Sequence, residues 1–179
     1  MGVTGEGRSS GAGRFVAAGL LLGIGLGGFL EGIVLHQLLQ WHHVLSLEHP
    51  MSTVAGLEVN TFWDGLFQVF SWIAVAVGVG LLWSARRQPD RPGGRALTGL
   101  MLAGWGFFDL VEGLVDHHLL QFHHVRDDVA NPLPWDIGFL ILGASLLVGG
   151  WALYRSAARP AVTAAGPPPG RGAGATTRP

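Results

Sequence analysis

The sequence predicts an all-α membrane protein whose four transmembrane helices form two tandem, parallel helix-pair repeats. Three observations carry that prediction. The chain is 49% hydrophobic and only 13% charged. Apolar runs of about 20 residues, the length a helix needs to cross roughly 30 Å of hydrocarbon, occur four times. A pattern rich in His and Glu in the first run also returns, without a gap, in the third.

The runs lie at about 15–40, 62–84, 96–121 and 135–154. The first continues past the length of a signal-peptide core, and the repeated motif runs across it, so it reads as a retained helix. Its Gly19, Gly23, Gly27, Gly28 and Gly32 let a neighbouring helix approach closely. The second and fourth runs open at Trp63-Asp64 and Trp135-Asp136. Both acids are expected in a first helical turn, where negative charge meets the positive end of the dipole, and Pro134 suits the same turn. The transmembrane domain is therefore placed at 15–155, with repeat one at 15–84 and repeat two at 96–155. Residues 1–14 and 156–179 are rich in Gly, Pro and Ala and are expected to lack order.

With no Cys, the chain has no disulfide, thiolate ligand or Cys nucleophile. It also has no Lys, and of its 11 basic residues only Arg126 falls outside the N-terminus, the 86–95 loop and the C-terminus. Basic residues near helix ends stay on the cytoplasmic side. Both termini are therefore expected to be cytoplasmic in a bacterial plasma membrane, with 42–61 and 123–134 outside. Trp41, Trp63 and Trp135 then mark the outer interface, and Trp83, Trp151 and Tyr154 the inner one. The expected surroundings are the lipid bilayer and a respiratory or metal-handling membrane complex. No nucleotide loop, Ser-His-Asp order or nucleic-acid patch is present, so no nucleic-acid partner is expected.

The repeat sets Glu-Gly-Ile-Val-Leu-His-Gln-Leu-Leu-Gln-Trp-His-His at 31–43 against Glu-Gly-Leu-Val-Asp-His-His-Leu-Leu-Gln-Phe-His-His at 112–124. Helices one and three would both run outward, so the copies would be related by a pseudo-twofold axis along the membrane normal, and equivalent residues could converge on it. Together with Trp-Asp-Gly-Leu-Phe from 63 and His-His-Val-Arg-Asp-Asp from 123, these motifs resemble an uncharacterised bacterial family of four-helix predicted membrane proteins, catalogued as a domain of unknown function, over about 15–155. The resemblance implies a multipass membrane protein, with no activity and no catalytic residues to carry over.

The chemistry must come from the residues. Asp109, Glu112 and Asp116 are spaced i, i+3, i+7 on one helical face, and Glu31 is the counterpart on helix one. Each ionised acid at mid-membrane costs on the order of 2.5–3.5 kcal/mol, so all four are expected to face the protein interior. Two layers follow from about 1.5 Å of rise per residue. The deep one holds Glu31, His36, Asp109, Glu112, Asp116 and His117 with its neighbour His118; the outer one holds His42, His43, His123 and His124, with His49 near it. At 100° per residue Glu31 and His36 stand about 140° apart, so ligands would have to come from different helices. Gln40 and Gln121 are candidate hydrogen-bond partners for the imidazoles. Arg126, Asp127 and Asp128 read as a solvated loop with a local ion pair.

Imidazole with carboxylate suits a transition metal, Fe, Cu, Zn or Mn. The leading expectation is a metal site near the outer face, ligated from among Glu31, His36, His42, His43, Asp109, Glu112, Asp116, His117, His123 and His124, with a redox or metal-handling role. The alternatives are a b-type haem carrier with His36 and His117 as axial ligands, and a structural or proton-handling subunit in which the acids clasp the halves together.

Overall fold

In the computed structural model, residues 5–86 and 92–158 are described. Four long helices, α1 (Gly5–Glu31), α2 (Val54–Ala85), α3 (Gly94–Glu112) and α4 (Leu133–Ala157), account for most of them, and no strand occurs among the described residues. α1 and α3 each run on, without a break, into a seven-residue π-helical turn, π1 (Gly32–Leu38) and π2 (Gly113–Leu119). The four membrane-length spans are Gly11–Leu38, Val54–Ala85, Gly94–Leu119 and Leu133–Ala157.

The helices are arranged in the order α2, α1, α3, α4. α1 packs on α3 at the centre, α2 packs on α1, and α4 on α3. Among the described residues α1 does not pack on α4, nor α2 on α3. Close approach at the centre depends on glycine: a Cβ at Gly23 would fall 2.0 Å from the Met101 carbonyl oxygen, and one at Gly104 would fall 2.2 Å from that of Leu20. The apolar core of Phe15, Ala85, Ala96 and Leu100 closes the end of the molecule away from the π turns.

Side chains are distributed as a lipid solvent requires. Large apolar groups such as Trp72, Val79, Trp83 and Val148 are exposed, whereas the largest fully buried side chains include His36, His42, His117, His123, Asp109 and Asp136. A polar interior under an apolar surface is stable only where hydrocarbon, not water, meets the outside. The chain is thus built as a four-span membrane protein.

Three boundaries differ from the sequence-based expectation. α1 starts at Gly5, so residues 5–14, expected to lack order, extend a helix already nucleated by the apolar run; adding a residue to an existing helix is far easier than starting one. α2 starts at Val54, not 62, because Thr53 caps it, its hydroxyl accepting from Gly56 N at 3.0 Å. Asp64 is therefore three turns inside the helix, whereas Asp136 does lie in the first turn of α4. α4 runs to Ala157, so the first residues of the tail expected at 156–179 belong to the helix, and 159–179 lie outside the described residues.

Candidate metal centre

The π turns build the site. Bonding from i to i+5 puts roughly 4.4 residues in a turn, so residues five apart stand only about 50° apart. Glu31 and His36, and likewise Glu112 and His117, have that spacing. The α-helical geometry that set Glu31 and His36 on different faces therefore does not apply. Both π turns close in the same way: Leu39 N donates to Val34 O at 2.8 Å and Leu120 N to Val115 O at 2.7 Å, and Gln40 and Gln121 then take left-handed backbone with φ of 51° and 54°. For glutamine that conformation costs on the order of 1 kcal/mol or more, and the surrounding structure holds it.

The reversal turns His42 and His123 back inward. Their rings stack at 4.5 Å and 9°, and each also packs edge-on against a π-turn histidine, His42 on His36 at 4.7 Å and His123 on His117 at 4.8 Å. The expected deep and outer layers are thus a single cluster. Contacts across it come in matched pairs. His42 Nδ1 lies 2.8 Å from Val125 O and His123 Nδ1 lies 3.1 Å from Val44 O. His43 Nδ1 sits 2.5 Å from Asp64 Oδ2, and His124 Nδ1 2.7 Å from Asp136 Oδ2. The other oxygen of each acid accepts from the next backbone amide, Val44 N at 3.1 Å and Val125 N at 2.9 Å. His36 Nδ1 stands 3.1 Å from Asp64 Oδ1, and His117 Nδ1 3.7 Å from Asp136 Oδ1.

A carbonyl can only accept, so at His42 and His123 the Nδ1 atoms carry the protons and donate. When neutral, both rings turn the Nε2 lone pair into the cluster. Both Nε2 atoms are buried without a hydrogen bond, as are His36 Nε2, His117 Nε2 and Glu112 Oε2, and His123 Nε2 stands 3.7 Å from Glu112 Oε1. His42, Glu112 and His123 each bring a ligating atom within 4.8 Å of the others. Glu31 and Glu112 lie in side-chain contact, and both Glu31 oxygens lack a donor. Burial pushes the His42 imidazole well below its ordinary pKa, and neighbouring His123 and His36 add to the effect. Burial acts in the same sense on His123, but contact with Glu112 outweighs it and holds that imidazole above its ordinary value.

The remaining sequence candidates are placed less centrally. His43 and His124 are engaged by Asp64 and Asp136 through Nδ1. Asp109 is buried one turn before Glu112, its carboxyl beside the Trp105 side chain and neither oxygen within hydrogen-bond distance of a donor. Asp116 is half-buried and lies outside the close trio, and His118 and His49 are exposed. Gln40 and Gln121 do not orient imidazoles: their side chains are exposed, and backbone carbonyls and the two aspartates take that part. Asp64 and Asp136 are thus site residues that the sequence reading assigned to helix starts. Their signal was the repeated Trp-Asp pair. Arg126 does pair with Asp128, at 2.7 Å, and its guanidinium also stands 4.9 Å and 5.0 Å from the Trp41 and Trp135 rings, which meet edge to face.

Comparisons with curated proteins and with solved structures gave no match. The family described as "Predicted membrane protein (DUF2243)" matches residues 18–157, which take in the histidine cluster, three whole spans and the first span from residue 18 on, and the chain belongs to that family.

Proposed function

We propose that the protein holds a transition-metal ion through His42, His123 and Glu112, with His36 and His117 completing the donor set, and serves in redox chemistry or metal handling near the outer face of a bacterial plasma membrane. One observation carries this reading: two buried imidazoles are locked by backbone carbonyls through Nδ1, and both turn toward the same carboxylate an Nε2 that no hydrogen bond engages, His123 Nε2 standing 3.7 Å from Glu112 Oε1. Burying a polar atom without a partner costs about 1–3 kcal/mol, and a clasp would pair these atoms with one another. A metal ion accepts all of them at once. Nitrogen donors with carboxylate oxygen, and no sulfur, fit Zn, Fe, Cu or Mn.

The matched contacts support two parallel repeats about a pseudo-twofold axis running between the stacked His42 and His123 rings. The arginine distribution supports cytoplasmic termini, which puts the π turns toward the outside. The b-type haem alternative loses support, because the two stacked imidazoles pack against both His36 and His117, where a macrocycle ligated by those two residues would need a flat slot.

The test is elemental analysis with absorbance and electron paramagnetic resonance of the detergent-purified full chain. About one metal per chain is expected, without a Soret band. A folded protein that stays metal-free after reconstitution with Fe, Cu, Zn and Mn would overturn the proposal. Asp136→Asn and Asp64→Asn are each expected to weaken metal binding 10–100-fold without abolishing it, the usual effect of removing a carboxylate that orients histidines around a metal. Competition against a chelator of known affinity checks this.

A further inference from the structure

Because α1 and α4 do not pack together, a cleft remains between them, floored by α3, with a volume of about 380 Å³. That lies within the range of small-molecule sites, roughly 300–1,000 Å³. Two features of its lining point to an occupant. Four walls are aromatic: Trp41, Trp105, Trp135 and Phe139. The Trp105 ring is pinned across Gly27, where a Cβ would collide with it, and Trp41 and Trp135 brace each other under Arg126. Glu31 and Asp109, 6% and 1% exposed, also line the cleft; Glu31 meets the Glu112 carboxyl and Asp109 the Trp105 side chain, but none of their four carboxyl oxygens is at hydrogen-bond distance from a donor.

Acceptors this deep and this dry need donors. Arg126, which stands over the Trp41 and Trp135 walls, is engaged by Asp128 and those two rings, and no Lys exists in the chain. A molecule that dissolves in hydrocarbon can bring such donors, since exposed apolar side chains such as Leu30 and Leu142 surround the cleft. A flat ring suits rigid aromatic walls, and hydroxyls on that ring suit two carboxyls. We infer that the cleft between α1 and α4 is a binding site for a lipid-soluble hydroxylated aromatic of the quinol class, with the ring between the tryptophans and its hydroxyls donating to Glu31 and Asp109.

The cleft draws on both halves, and the repeat-related positions differ in two of its residues. Asp109 stands where the first half has Gly28, and Gly138 where it has Leu66. Gly138 lines the cleft, and a Cβ there meets nothing within 4 Å, so Gly138→Leu can fill the cleft with the other half's residue and leave the helix packing alone.

The experiment titrates the full chain in detergent, anaerobically, with a decyl-substituted benzoquinol, read by tryptophan quenching and equilibrium dialysis, with metal present and with metal stripped. Saturable binding of one quinol per chain is expected in both states, so failure of the metal reading leaves this one standing. Gly138→Leu and the shape-conserving Asp109→Asn should each weaken binding at least tenfold, with gel-filtration profiles unchanged. Decylbenzene, which has the ring and chain without hydroxyls, should bind at least tenfold more weakly. Decylbenzene binding as tightly as the quinol would overturn the assignment by making the cleft a seat for any acyl chain. Unchanged quinol affinity in Asp109→Asn would overturn it too, as would unchanged affinity in a folded Gly138→Leu.

Discussion

Gly23→Ala is expected to destabilise the helical unit by about 3 kcal/mol, the upper end for overpacking a close-packed interior, and Gly23→Ala with Gly104→Ala to prevent its assembly. The added methyl at Gly23 would lie 2.0 Å from Met101 O and 2.8 Å from Trp105 N, and that at Gly104 2.2 Å from Leu20 O. All three are backbone atoms inside regular helices, so no rotamer change relieves the clash and α1 and α3 must move apart along their length. In a membrane the loss is not offset elsewhere, because lipid chains are as apolar as the side chains and helix association rests on close packing. Separation would also open the histidine cluster, since His36 is carried by the helix of Gly23 and His117 by that of Gly104. Gly65→Ala is the matched control: nothing lies within 4 Å of its added methyl, and alanine is the better helix former by about 0.8–1 kcal/mol. Unfolding of the purified protein in increasing dodecyl sulfate should put Gly65→Ala at or above wild type and Gly23→Ala well below it. Equal midpoints for the two variants would refute the close α1–α3 crossing.

How much of this was legible in the sequence depends on which physical rule each residue obeys. The spans were legible because hydrocarbon thickness sets helix length; 96–121 was expected where Gly94–Leu119 is found. Burial of Glu31, Asp109 and Glu112 followed from the cost of exposing an acid to lipid. The π turns were not legible through propensity, since the same residues favour α-helix and π-helix alike. Their trace was geometric: Glu and His recur five apart in both segments, a spacing that splits them around an α-helix and unites them on a π turn. The return of His42 and His123 was hidden because glutamine, unlike glycine or asparagine, gives no sign of left-handed backbone. Asp64 was misread for a different reason. The first-turn rule was applied at a boundary eight residues late, and the helix that continues back to Val54 leaves that carboxylate free to hold His43.

His42→Asn with His123→Asn is expected to lower bound metal from about one per chain to less than about a tenth, while the protein still inserts and runs as the wild type on gel filtration. The choice of asparagine matters. Its amide nitrogen takes the place of Nδ1 and can still donate to Val125 O and Val44 O, so the crossed bonds that tie the two loops together survive. What disappears is Nε2, the atom that faces Glu112. Alanine at both positions would instead leave two buried carbonyls without donors, at about 1–3 kcal/mol each, and would mix loss of ligands with loss of fold. His43→Asn gives the opposite expectation: that ring reaches Asp64 through Nδ1 and is not one of the close trio, so most of the metal should remain. His36→Ala with His117→Ala should weaken binding more than either aspartate variant, since it removes two donors, yet leave measurable metal on the His42, His123 and Glu112 trio. Metal retained at full stoichiometry in the His42/His123 asparagine pair would place the ion elsewhere, and a pattern in which His43→Asn lost as much would move the centre toward Asp64.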